Sequence, residues 1–266
     1  MKQSHIAHSK RSRRKSMKAK IIAGAAVLVA GMLVTGLGYL IFYANVLGVK
    51  TLVVEGERLA DPDMTRKAVE AEIAEASGFA RMLGSDRILF WTLNSGSFSL
   101  PLVPVVEEAD VEAKFFSRSV YIKIRERVPV GVLCATEGKC YAMDEKGVPF
   151  WEAPETSGGL VTKIWDGGSR GVSLGNPFFD HTDQIENLWE TLEYIKSQGF
   201  IPREIRVLDR QSKEWEAVMP SGLTFLFSFE FVPEDLSDVL YELKEDVRMD
   251  SLDQFDFRVR NRVFYR

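Results

Sequence analysis

Residues Ile21–Tyr43 read IIAGAAVLVAGMLVTGLGYLIFY, 23 positions without a charge. As an α-helix this stretch is about 34 Å long, which exceeds a bilayer hydrocarbon core of about 30 Å. Ahead of it lie Lys2, Lys10, Arg11, Arg13, Arg14, Lys15, Lys18 and Lys20, with no acidic residue among the first twenty. The positive-inside rule places such a tail in the cytoplasm and everything after the span outside. Tyr39 and Tyr43 fall where aromatic side chains meet the outer interface. A cleaved signal peptide fits less well: its apolar core is shorter and small residues flank its cleavage site, whereas Phe42 precedes Ala44 here. The expected organisation is a basic tail (1–20), a transmembrane helix (21–43) and an extracytoplasmic remainder. That gives a single-pass protein of the cell membrane with the bilayer as its first partner.

Outside the tail the chain carries 26 basic and 38 acidic residues, a net charge of −12. Such a surface repels nucleic acid, so none is expected as a partner. About 220 residues exceed one typical domain, and two compact units are the expectation. Val49 to Val54 reads as a strand. Asp61-Pro62-Asp63 opens a helix whose apolar positions Met64, Ala68, Val69 and Ile73 recur at helical spacing, with Gly78 as its stop. A second helix is expected from Ser85 to Leu93, with Ile88, Leu89 and Leu93 inward. An irregular stretch, Asn94 to Pro104, leads to a strand around Val106 to Val111 and then to Val120–Arg125, which alternates apolar and polar. Together these give β-α-α-β-β.

The remainder reads as strands at 130–135, 140–143, 148–151, 160–165, 204–208, 215–219, 223–229, 254–259 and 262–265. Helices are expected at about 182–198, with Ile185, Leu188, Leu192 and Ile195 inward, and from Pro233 to about Met249. Turns fall at Glu137-Gly138, Asp144–Gly147, Pro220-Ser221-Gly222 and Arg260-Asn261. Cys134 and Cys140 flank one of these turns. Two readings stand: a disulfide across the hairpin, or two reduced, half-buried thiols.

Catalytic constellations are scarce. Of three histidines, His5 and His8 sit in the tail and only His181 lies beyond the span, beside a helix start. One His and two Cys fall short of an ordinary zinc ligand set, and neither a nucleophile elbow nor a phosphate-binding glycine loop is present. Glu108, Asp110 and Glu112 alternate along one strand, with Glu107 on its other side. Paired acids serve glycoside hydrolysis, but this spacing more simply marks a wet strand face. The expectation is a non-enzyme without cofactor or metal. Binding remains: Arg262–Tyr265 follows every other strand and places Val263 and Tyr265 on one face and Phe264 on the other; it reads as a sheet edge open to strand addition, the alternative being an interior strand or an edge protected by Arg262 and Arg266.

Several stretches resemble the FtsQ/DivIB family of bacterial cell-division proteins. They are Val53-Val54-Glu55-Gly56 after the span and Ile124-Arg125-Glu126-Arg127-Val128-Pro129-Val130, similar to the family's ERxPV junction. Asp144 with Gly147 resembles its D-x-x-G turn, and Phe255–Arg258 with Asn261-Arg262-Val263 its closing hairpin. The proline usual before the third strand of the family's first domain is replaced by Ser117-Arg118-Ser119.

The resemblance implies an α+β fold: one transmembrane helix, a βααββ POTRA domain (48–127), then a mixed α/β domain (128–266) with a mainly antiparallel sheet. It implies a divisome scaffold active in septum formation at the division site. The POTRA unit would receive upstream division proteins. The C-terminal edge, through Arg258, Val259, Asn261, Arg262, Val263, Phe264 and Tyr265 and the neighbouring helix, would capture an FtsB/FtsL-like coiled-coil pair. The alternatives are a POTRA-bearing secretion or envelope-assembly factor and an anchored cell-wall enzyme.

Overall fold

A computed structural model describes residues 6–43, 45–135, 138–153, 161–168, 171–209, 213–234, 236–246 and 252–266. Helix α1 spans Ile6–Phe42. Its segment Lys20–Phe42 is long and apolar enough to cross a membrane, and none of it is buried within the protein. The helix also runs back into the basic stretch, where Lys and Arg are good helix formers. A 3-10 turn, Asn45–Leu47, follows.

The next elements are β1 (Thr51–Glu55), α2 (Pro62–Ala76), α3 (Gly78–Leu83), α4 (Ile88–Leu93), β2 (Gly96–Phe98), β3 (Val106–Lys114) and β4 (Ser119–Glu126), and the strands order as β1-β4-β3-β2. Three helices therefore stand where the periodicity predicts two. Gly78 does not stop a helix but opens one, because the Ser77 hydroxyl accepts the Ala80 N–H at 3.2 Å and caps α3. The last of the three starts after Arg87 rather than at Ser85. Its buried face is Ile88, Phe90 and Trp91, with Leu93 exposed, so the helix is rotated from the expected register. On α2, Ala68, Val69 and Ile73 are buried as expected, but Met64 is exposed and Thr65 is inside. The Thr65 hydroxyl is satisfied by the Asp61 carbonyl at 2.9 Å. Part of the stretch expected to be irregular forms β2.

The chain forms two compact units, 1–53 with 73–96 and 111–122, and 54–72 with 97–110 and 123–266. The four-stranded sheet contributes residues to both.

Strands β5 (Gly131–Cys134), β6 (Cys140–Met143), β7 (Pro149–Ala153), β8 (Thr162–Asp166), β9 (Glu204–Asp209), β10 (Glu214–Val218), β11 (Thr224–Ser228), β12 (Gln254–Val259) and β13 (Arg262–Tyr265) form one sheet. Its order is β13-β12-β11-β10-β9-β8-β5-β6-β7. Five of its pairings are antiparallel and three, β5·β8, β8·β9 and β11·β12, are parallel. The fold is α+β with a mixed sheet. One face packs Leu133, Ile164, Ile205, Trp215, Phe225, Phe227, Phe255 and Phe257 against helices α5 (Thr182–Ser197) and α6 (Leu236–Asp246). Ile185, Leu188, Leu192 and Ile195 are the buried stripe of α5. Leu236 and Leu240 serve α6, which starts at Leu236 rather than Pro233; the predicted end at Met249 lies outside the described residues. Aromatic rings stitch the core across strands, with Trp215–Phe227 centroids 4.6 Å apart and Phe227–Phe257 at 5.2 Å.

Candidate functional site

The β12–β13 hairpin ends the nine-stranded sheet, and among the described residues β13 pairs only with β12. Asn261, at φ +57°, makes the turn; Asn tolerates this left-handed region through its short polar side chain. Gln254 and Arg266 exchange both backbone hydrogen bonds, Arg266 N–H to the Gln254 carbonyl at 3.1 Å and Gln254 N–H to the Arg266 carbonyl at 3.2 Å. In an antiparallel ladder such pairs alternate with non-bonded ones. The next pair, Phe255 with Tyr265, is therefore non-bonded, and the Tyr265 N–H and C=O point away from β12. Val263, two residues earlier, shares that orientation by the strand's period. A register shift between Asp256 and Val259 bends the hairpin towards its tip.

Side chains along this edge divide as the alternation requires. Val263 packs on the main core and the Tyr265 ring lies 6.2 Å from that of Phe255. Phe264 projects from the opposite face and is 53 % exposed; Tyr265 is 59 % and Val259 49 % exposed. These three apolar side chains border a backbone edge with outward-facing polar groups. Arg260, Arg262 and Arg266 are exposed around them, a local positive charge on an otherwise acidic surface. A cleft of about 750 Å³ opens where β12 begins, lined by Phe200, Ile201, Met219, Leu223 and Leu252 among others.

Arg258 is different. Its guanidinium donates to Asp256 at 2.6 and 2.9 Å and to Glu214 at 2.8 Å, tying β12 to β10. The hydrogen bond from Arg258 holds the Asp256 carboxyl below its ordinary range. Sequence reasoning offers Arg258 as a pairing group for a partner's acids, but the fold has already committed that charge internally.

The other motif residues also have structural partners. Glu126 accepts the backbone N–H groups of Arg58, Leu59 and Ala60, each at 2.8 Å. Burial pushes its carboxyl up, but these bonds outweigh it and hold the group low. Arg127 pairs with Asp144, both nearly buried, and donates to the Pro104 carbonyl at 3.0 Å. Asp144 Oδ1 in turn accepts the Lys146 and Val148 N–H groups at 3.0 and 2.8 Å, closing the Asp144–Gly147 turn. A Cβ on Gly56, at φ +96°, would sit 2.4 Å from the Ile124 carbonyl oxygen, so no other residue fits there.

The candidate acids of β3 are likewise engaged. Arg125 donates to Glu107 at 3.0 Å and to Glu108 at 2.6 Å. One guanidinium reaches both, so the two do not diverge as plain alternation predicts. His181 is exposed and precedes α5; its N–H donates to the Gln184 side chain at 3.3 Å. Cys134 and Cys140 are register partners joined by a disulfide, with Cα atoms 4.0 Å apart, packed beside Val132, Ala153 and Trp165. The chain matches no model of a known protein family and no curated protein sequence.

Proposed function

We propose that this chain is a membrane-anchored, non-catalytic scaffold that captures a partner polypeptide by strand addition at β13, in the manner of the FtsQ/DivIB proteins it resembles. The observation that carries this reading is the sheet edge itself. Tyr265 and Val263 turn backbone donors and acceptors outward, while Val259, Phe264 and Tyr265 leave apolar area uncovered beside them. Backbone bonds would supply affinity and the flanking side chains selectivity. Arg262 has no ion-pair partner among the described residues, and with Arg260 it would orient an acidic partner more than tighten it. Residues 48–127 would act as a POTRA-type receiver of upstream division proteins. The basic tail would remain cytoplasmic, and the partner would be an FtsB/FtsL-like coiled-coil pair at the septum.

The test is capture of that pair by full-length protein. Phe264→Asp or Tyr265→Asp, both at exposed positions, should abolish co-purification while the circular-dichroism spectrum and melting temperature stay within the wild-type range. Undiminished capture by both variants would remove β13 as the docking edge.

A further inference from the structure

The turn between β3 and β4 carries the sequence Lys114-Phe115-Phe116-Ser117-Arg118, and Phe116 is 98 % exposed. It has an edge-to-face contact with Phe115, centroids 5.6 Å apart, and no core to enter. Two adjacent aromatics at the tip of a turn are costly in water unless something covers them. Their position in the chain's own structure indicates what does.

Arg118 binds this turn to the segment leaving α1. Its guanidinium donates to the carbonyls of Asn45 and Val46, both at 3.1 Å. Its own carbonyl accepts the Lys50 and Thr51 N–H groups at 2.9 and 3.4 Å. Arg118 adopts φ +55° to do this. All these residues belong to one compact unit, which also contains α1. Asn45 lies only two residues past Tyr43, at most about 7 Å of extended chain. The polar headgroup layer on each side of a bilayer is itself about 5–8 Å thick. The turn is therefore tethered, within one arginine side chain's length, to the residues that directly follow the apolar part of α1.

We infer that Phe115 and Phe116 are a second membrane contact, inserted into the interfacial layer of the bilayer that holds α1. Aromatic rings favour that layer, and the exposed Lys114 beside them can reach lipid phosphates while its stem follows the rings, with Arg118 held on the Asn45 and Val46 carbonyls. The contact limits rotation of this unit about the anchor. It rests on the reading of α1 as a membrane span, and the experiment separates the two.

Full-length Phe116→Cys carries one free thiol, since Cys134 and Cys140 are bonded to each other, and the exposed site leaves the core untouched. It is labelled with nitrobenzoxadiazole and placed in nanodiscs of phosphatidylethanolamine and phosphatidylglycerol. Leu33→Cys, within the apolar run, is labelled in parallel. The expected result is about twofold quenching of the label at 116 by headgroup nitroxide lipid, and about threefold less quenching by iodide than for free dye. The label at 33 should respond to a nitroxide deep in the acyl chain. If 33 responds and 116 remains fully open to iodide, the inference fails while the anchor stands. If neither responds to lipid, the span fails and the inference with it. Shielding of 116 in native membranes but not in nanodiscs would assign the rings to a protein partner and overturn the lipid contact.

Discussion

Asp144 and Arg127 illustrate how single residues hold this architecture. The pair is nearly buried, and its value lies in completeness: carboxylate oxygens serve the guanidinium and two backbone N–H groups of one turn. Arg127→Ala would leave a buried carboxylate without its counter-charge, a loss of about 3–5 kcal/mol. Urea unfolding of the full chain in detergent should show it as a lower midpoint with an unchanged slope. Asp256 makes a pH prediction. Its folded pKa lies below the unfolded value because Arg258 bonds the ionised form. The resulting stability is present above the unfolded carboxylate range and is lost as the pH falls through the folded pKa. Asp256→Asn should therefore flatten the acid limb of a plot of melting temperature against pH, leaving other limbs parallel to wild type. The sequence marks these residues as motif members but not their roles, since a spacing such as Asp144 to Arg127 is bridged only by the fold.

Among elements, β13 yields the sharpest contrast. Proline removes a backbone donor and is tolerated where that donor faces solvent on an edge. Tyr265→Pro deletes an outward N–H and should sharply weaken partner capture with little change in melting temperature. Phe264→Pro deletes an N–H directed at β12 and should lower the melting temperature before any binding is considered; differential scanning calorimetry beside a pull-down separates the two. Strands were the most legible elements because alternation survives local irregularity: Gln254–Val259 and Arg262–Tyr265 fall where the pattern places them. The helices between β1 and β2 were harder to read. A Ser cap directly after α2 restarts a helix where glycine suggests an end, and rotation of α4 follows Trp91, whose indole N–H reaches the Ser85 carbonyl at 2.7 Å. Short helices have too few residues for periodicity to settle which face turns inward.

For the whole molecule, the sequence already indicates an anchor, an acidic bulk and two compact units. Parallel pairings were beyond it, because strand order depends on crossovers that no local pattern records. The junction of β11 with β12 is the most consequential of these. The chain leaves β11 at Ser228, passes through α6 and returns alongside in the same direction, and only then does the hairpin add β13. Without the residues after Ser228 the sheet would present a different rim, with the rings of Phe225 and Phe227 lacking their neighbours Phe255 and Phe257. On the strand-addition reading proposed above, the docking edge would exist only in a chain folded through to β13.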